Sequence, residues 1–194
     1  MGRKPRIPID GGVYHITSRG HNRFRLFHED EDYKIYKDII RKYKERFEFD
    51  LFHYCFMPNH IHLLLKIVHG HELPHLMQCL NQAYAKYYKR SYKLIGNLFQ
   101  GRYVSIFVDK DSYLLECGRY IERNPLRAGM IKDPSEYKWS SCRFYTKGEN
   151  DDIITTDPLY GGFDGGTVER RRKYHEYLLE DRPYEYMVDK AMKL

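Results

Sequence analysis

Apolar and polar residues follow two rhythms along this chain, a period of two and a helical period, and their succession predicts the elements. From Val13 to Arg19, Val13, His15 and Thr17 share one face while Tyr14 and Ile16 share the other, which predicts a strand. Asp30, Glu31 and Asp32 then precede Tyr36, Ile39, Ile40 and Tyr43 at helical spacing, so a helix is expected to end near Phe47. Phe49 to Met57 reads as a second strand, and Pro58-Asn59 as the turn of a hairpin. In the returning strand Ile61, Leu63, Leu65 and Ile67 take one face, and His60, His62, Leu64 and Lys66 take the other. A long helix is predicted over 73–92, with Leu76, Leu80, Ala83 and Tyr87 inward and Lys86, Lys89 and Arg90 outward. Residues 97–102 read as a loop and 103–108 as a fourth strand. A further helix runs from about Tyr113 to Arg123, capped by Asp111 or Ser112 and stopped by Pro125.

The order β-α-β-β-α-β is the split arrangement of ferredoxin-like and RRM-type α+β domains. It implies an antiparallel sheet with two helices on one face, leaving the other face for the helix that begins near 113. Residues 1–145 are expected to form this domain, with Trp139-Ser140-Ser141 starting a short helical cover. The Gly- and Asp-rich stretch 146–166 reads as a linker, and residues 167–179 as a helix in a C-terminal extension over 146–194.

Composition narrows the setting. A formal charge of +6, with 19 tyrosines and 10 phenylalanines interleaved with Lys and Arg, suits a polyanionic partner and base stacking. Cys55, Cys79, Cys117 and Cys142 form no CxxC pair, against a zinc knuckle or a disulfide framework. No apolar run approaches the roughly 20 residues of a membrane span, and the basic start Met1–Arg6 lacks the apolar segment of a signal peptide. The expectation is a cytoplasmic, nucleoid-associated protein with no membrane partner.

Two histidines at i and i+2 on a strand stand about 7 Å apart on one face, a spacing that lets them share a divalent cation. Tyr120 and Asn124 are i and i+4, neighbours on one helical face. A phenol beside an amide oxygen suggests a nucleophile next to a metal ligand. Laid over the histidine face, that helix would surround one point with His60, His62, Tyr120 and Asn124, a donor set suited to Mg²⁺ or Mn²⁺ carrying a substrate phosphate. Each piece alone has an ordinary reading: a hydrogen-bonded strand histidine, one tyrosine among many, a helix stop.

The stretches Tyr14–Arg23, Met57–His62, Phe99–Tyr103 and Tyr120–Gly129 resemble single-tyrosine HUH transposases, and among them the REP-associated tyrosine transposases and their insertion-sequence relatives. The resemblance spans roughly residues 10–145. It implies that His60 and His62 are the metal pair and that Tyr120 is the nucleophile of a 5′-phosphotyrosine intermediate. Asn124 stands where the compact insertion-sequence enzymes carry a glutamine ligand, which keeps the amide oxygen and shortens its reach. It further implies a single-stranded DNA partner bearing a hairpin, with Arg19, Asn22, Arg23, Gln100, Arg102 and Arg127 around the site. Lys86, Tyr87, Lys89 and Arg90, with Tyr88, would form a hairpin platform, and the cluster 170–173 would add salt-sensitive affinity. Compact relatives are dimers, and the long tail here favours a monomer. Two other readings stay open: a domesticated, non-catalytic nucleic-acid binder, and a metal-dependent nuclease that uses water.

Overall fold

The computed structural model describes residues 8–109 and 111–182. Four strands, β1 (Val13–Arg19), β2 (Phe49–Met57), β3 (His60–Ile67) and β4 (Val104–Val108), form one antiparallel sheet in the order β2-β3-β1-β4. This is the expected ferredoxin-like topology, with the histidine strand in the middle. The basic start Met1–Arg6 lies outside the described residues.

Helices α1 (Asp30–Lys44) and α2 (Leu73–Tyr92) cover one face of the sheet. Ile61, Leu63, Leu65 and Ile67 meet Tyr36, Ile40, Leu76, Leu80 and Tyr84 there, as the alternation predicts. The inward phase of α2 differs from the expected one. Met77, Leu80, Tyr84 and Tyr88 are buried, while Ala83 and Tyr87 are half-buried. The tyrosine hydroxyls explain the shift: Tyr84 donates to the carbonyl of Leu26 and Tyr88 to that of Arg25, so both rings go inward with their polar ends satisfied. Asp32 ties α1 to α2, accepting from the backbone N–H groups of His28 and Glu29 and from the hydroxyls of Tyr87 and Tyr92.

Helix α3 (Asp111–Glu122) crosses the opposite face, where Leu114, Cys117 and Ile121 pack on Phe52, Cys55, Met57 and Leu64. A bulge in β2 shapes this contact. Leu51 pairs with Leu65 and His53 with Leu64, leaving Phe52 as an extra residue. Phe49 and Leu51 thus share the first core with Tyr54 and Phe56, while Phe52 and His53 both turn toward α3. Pro125 does not end the helical path. It sits in the first turn of α4 (Asn124–Arg127), where its missing N–H costs nothing. Ser140 forms a single antiparallel bridge with Cys55 of β2, flanked by Phe56 N–H donating to Trp139 and Ser141 N–H to Tyr54, before α5 (Cys142–Lys147) begins.

The 146–166 segment is mostly irregular, yet it enters the structure: Ile153 is fully buried in the first core, and Thr155 N–H donates to Leu51. Helix α6 (Thr167–Leu179) packs Tyr174, Tyr177 and Leu178 against Cys142 and Tyr145 of α5. No helix among the described residues is long and apolar enough to cross a membrane.

Candidate active site

Strand register assembles the first half of the site. Thr17 pairs with His62 and Arg19 with His60, so β1 sets Thr17, Arg19 and His15 beside the two histidines of β3. The rings of His60 and His62 are 4.9 Å apart between centroids. His62 Nδ1 lies 2.9 Å from His15 Nε2 and 3.3 Å from Thr17 Oγ1. His60 Nδ1 lies 2.7 Å from Asn59 Oδ1, and the Asn59 amide nitrogen donates to the Arg23 carbonyl at 3.5 Å. That network assigns Oδ1 as the acceptor and puts the proton of His60 on Nδ1. The Nε2 atoms of both rings have no hydrogen-bond partner among the described residues.

Burial holds all three histidines neutral. It pushes His15 down to about 3 and, helped by the Arg19 charge, His60 down to about 4. His62 lies well below the usual histidine range, through burial first and then through His60, His15, Arg19 and Arg127. A neutral imidazole is the form that offers a lone pair.

Helix α3 brings the second half. The Tyr120 ring stands edge-on to both His62 and His15, at 6.0 Å from each. The Arg127 guanidinium lies 4.9 Å from the centre of the Tyr120 ring. Asn124 uses its amide nitrogen within the helix, donating to the carbonyls of Tyr120 and Ile121, and its Oδ1 has no partner among the described residues. The helix can approach this closely because residue 118 is glycine. A Cβ there would meet the His53 ring at 2.7 to 2.9 Å.

Beneath the tyrosine lies a buried ionic cluster that the sequence did not single out. His53 lies 2.9 Å from Glu122 and 3.0 Å from Asp157, and Glu122 also accepts from Ser141 and Tyr174. Burial alone would lower the His53 pKa, but the Glu122 charge and the Asp157 hydrogen bond raise it to about 9, so the ring is an imidazolium at neutral pH. On the same helix Arg119 donates to the carbonyls of Tyr177 and Glu180, and Arg123, just past its end, donates to that of Leu178. The tyrosine helix is therefore held at the C-terminal end of α6, where unpaired carbonyls favour cations.

Three loops close around His60. Gly20 N–H donates to Asn59, His21 N–H to Leu98 and Gln100 N–H to Arg19. At Gly20 a Cβ would come within 2.2 Å of the Phe24 carbonyl oxygen, so this turn demands glycine. Asn22 and Arg23 both hold left-handed backbone, at φ of 49° and 60°, with exposed side chains. Gln100, Arg102 and Arg127 are exposed as well, and Arg19 is half-buried, its Nε without a hydrogen-bond partner among the described residues. The structure thus gathers His60, His62, Tyr120, Arg19 and Arg127 in one place, with the loops that carry Asn22, Arg23 and Gln100 tied to the strands beside His60. Lys86, Lys89 and Arg90 are exposed on α2, across the sheet from Tyr120. Tyr87 is tied to Asp32, and the burial of Tyr88 corrects the reading of it as part of an aromatic platform. In the 170–173 cluster, Arg172 is paired with Glu169 and Glu176.

Among the described residues, no three His, Cys, Asp or Glu side chains are arranged to hold a metal ion. His15 has its Nε2 against His62 and its Nδ1 buried, which leaves two histidines as cation donors. Two neutral rings, each engaged through Nδ1 and open at Nε2, fit a divalent cation.

The family model of the IS200-like transposases matches residues 9–124. The chain belongs to that family. Among solved structures, this transposase is similar to a REP-associated tyrosine transposase bound to a REP hairpin, at 20% identity and a TM-score of 0.65, covering 81% of this chain and 93% of that one. At that identity the likeness establishes the shared fold. A putative transposase from Deinococcus radiodurans matches at 23% identity and a TM-score of 0.43, over 63% of this chain and 95% of that one. A search of the curated proteins found no match.

Proposed function

We propose that this transposase cleaves and rejoins single-stranded DNA that carries a hairpin, with Tyr120 as the nucleophile. One observation carries the reading: the Tyr120 ring and the two neutral, Nε2-open histidines meet at 6.0 Å between His62 and Tyr120, beside Arg19 and Arg127. In the proposed step the Tyr120 oxygen attacks phosphorus and loses its proton to solvent. The bond from phosphorus to the 3′-oxygen breaks, and that oxygen takes up a proton as a free hydroxyl. The phosphodiester energy is kept in the phosphotyrosine, so the step reverses onto another 3′ end.

Arg127 and Arg19 offer positive charge to the phosphate. Arg23, Asn22, Gln100 and Arg102 suit contacts with the strand on either side. Mg²⁺ or Mn²⁺ held by His60 and His62, with Asn124 Oδ1 as a further donor, would supply neutralisation of the charge that develops on the phosphate oxygens. The hairpin partner is supported by the REP hairpin bound to the structural relative.

The test is a denaturing gel of the protein incubated with labelled hairpin-bearing single-stranded DNA and Mn²⁺ or Mg²⁺. A covalent protein–DNA adduct is expected, absent in Tyr120→Phe. His60→Ala and His62→Ala should lose cleavage and retain hairpin binding. Cleavage that survives Tyr120→Phe would mean that water is the nucleophile, and binding without cleavage by wild type would mean a domesticated binder.

A further inference from the structure

His15 has no role in the chemistry above, yet it is buried to 1% exposure in the middle of the site. Its ring plane is within 15° of that of His62, with centroids 5.1 Å apart and nitrogens 2.9 Å apart. The short nitrogen distance accounts for so much of the centroid separation that the rings must meet edge to edge. A proton between them then lies in both ring planes, the best geometry for an N–H···N bond.

That contact has a chemical consequence for His62. A histidine whose Nε2 holds a cation must carry its proton on Nδ1, and it needs an acceptor for that proton. Two atoms face His62 Nδ1: His15 Nε2 at 2.9 Å and the Thr17 hydroxyl at 3.3 Å. The histidine contact is the shorter one. Asn59 Oδ1 does the same service for His60, at 2.7 Å. The two strand histidines thus have separate acceptors, one from the hairpin turn and one from the neighbouring strand.

We propose that His15 is a positioning residue that fixes His62 in the Nδ1–H tautomer and so presents the His62 Nε2 lone pair to a divalent cation. The inference rests on the proposed two-histidine cation site. In this arrangement the proton of His15 sits on its own Nδ1, a buried nitrogen without a hydrogen-bond partner among the described residues. An unpaired buried donor is costly, so the arrangement is one that a folded core retains for a reason other than stability.

The experiment has two arms. In the first, imidazole ¹⁵N spectra of the wild-type protein are recorded during titration with diamagnetic Mg²⁺. The expected result is a His62 Nδ1–H with a nitrogen–nitrogen coupling across the hydrogen bond to His15 Nε2, in the cation-loaded form. A loaded His62 without that coupling overturns the inference. In the second arm, Mn²⁺ affinity is measured from the free-ion electron paramagnetic resonance signal for wild type, His15→Leu, His15→Gln and Thr17→Val. Loss of a partner of this kind weakens metal binding by about 10–100-fold, and that loss is expected for His15→Leu. His15→Gln, whose Oε1 can accept the same proton, should recover most of the affinity, and Thr17→Val should stay near wild type. Equal affinity in wild type and His15→Leu overturns the inference, as does a loss in Thr17→Val larger than that in His15→Leu. Absence of Mn²⁺ binding by wild type would instead refute the cation site itself. Should both His15 variants fail to fold, the spectra of the wild type decide alone.

Discussion

His53 joins the two faces of the site region through charge. Its two carboxylate partners, Glu122 and Asp157, come from α3 and from the irregular segment beyond α5. The pKa of the folded state, about 9, exceeds the ordinary 6.5. A raised pKa contributes stability that is complete below the unfolded value and fades as pH rises through the folded one. Urea unfolding at pH 6 should therefore find His53→Gln less stable than wild type by on the order of 3–5 kcal/mol, and the gap should narrow by pH 9.5. A gap that does not change with pH would show a neutral His53. Residues such as His60, His62 and Tyr120 were legible in the chain, because spacing alone placed them on defined faces. His53 and His15 were not. Their roles depend on which residue stands opposite, and strand register is set by contacts that no local pattern encodes. One local signal for His53 did exist: apolar parity in β2 changes from Phe49 and Leu51 to Tyr54 and Phe56, which marks the bulge.

At the scale of the element, α3 is fixed on two sides. The helix was readable from its cap at Asp111 or Ser112, and the β-α-β-β-α-β order told which face it would cross, where Leu114, Cys117 and Ile121 pack. The depth of its seat was not readable, since it depends on Gly118 lying against the His53 ring. In an ordinary helix interior, glycine to alanine stabilises by about 0.5–1 kcal/mol. Here the sign should reverse. Gly118→Ala is expected to destabilise by about 1–3 kcal/mol through overpacking, measured by thermal or urea unfolding. It should also displace Tyr120 and lower adduct formation by on the order of 10²-fold, with hairpin binding preserved because the rim lies on other elements. The α2 phase was missed for a related reason. Tyrosine reads as amphipathic, and only the carbonyls of Arg25 and Leu26 decide that Tyr84 and Tyr88 point inward.

Across the whole molecule, the last described helix behaves as part of the site's support. The helical period of residues 167–179 was legible, but its docking was hidden behind the run Glu169-Arg170-Arg171-Arg172-Lys173, which draws the eye to surface charge. The seat is made by Tyr174, Tyr177 and Leu178, and by carbonyls that receive Arg119 and Arg123. Deleting residues 167–194 should remove the carbonyls that receive Arg119 and Arg123 and the Tyr174 hydroxyl on Glu122, and lower the melting temperature by on the order of 10 °C or more; an unchanged melting curve would show that α6 is dispensable. The same clamp imposes an order in time. Synthesis at about 5–20 residues per second delivers both strand histidines and the tyrosine seconds before the carbonyls that grip Arg119 and Arg123. A ribosome-bound chain can thus display His60, His62 and Tyr120 before the carbonyls that hold Arg119 and Arg123 have been made, so the tyrosine helix takes its seat only once α6 has emerged.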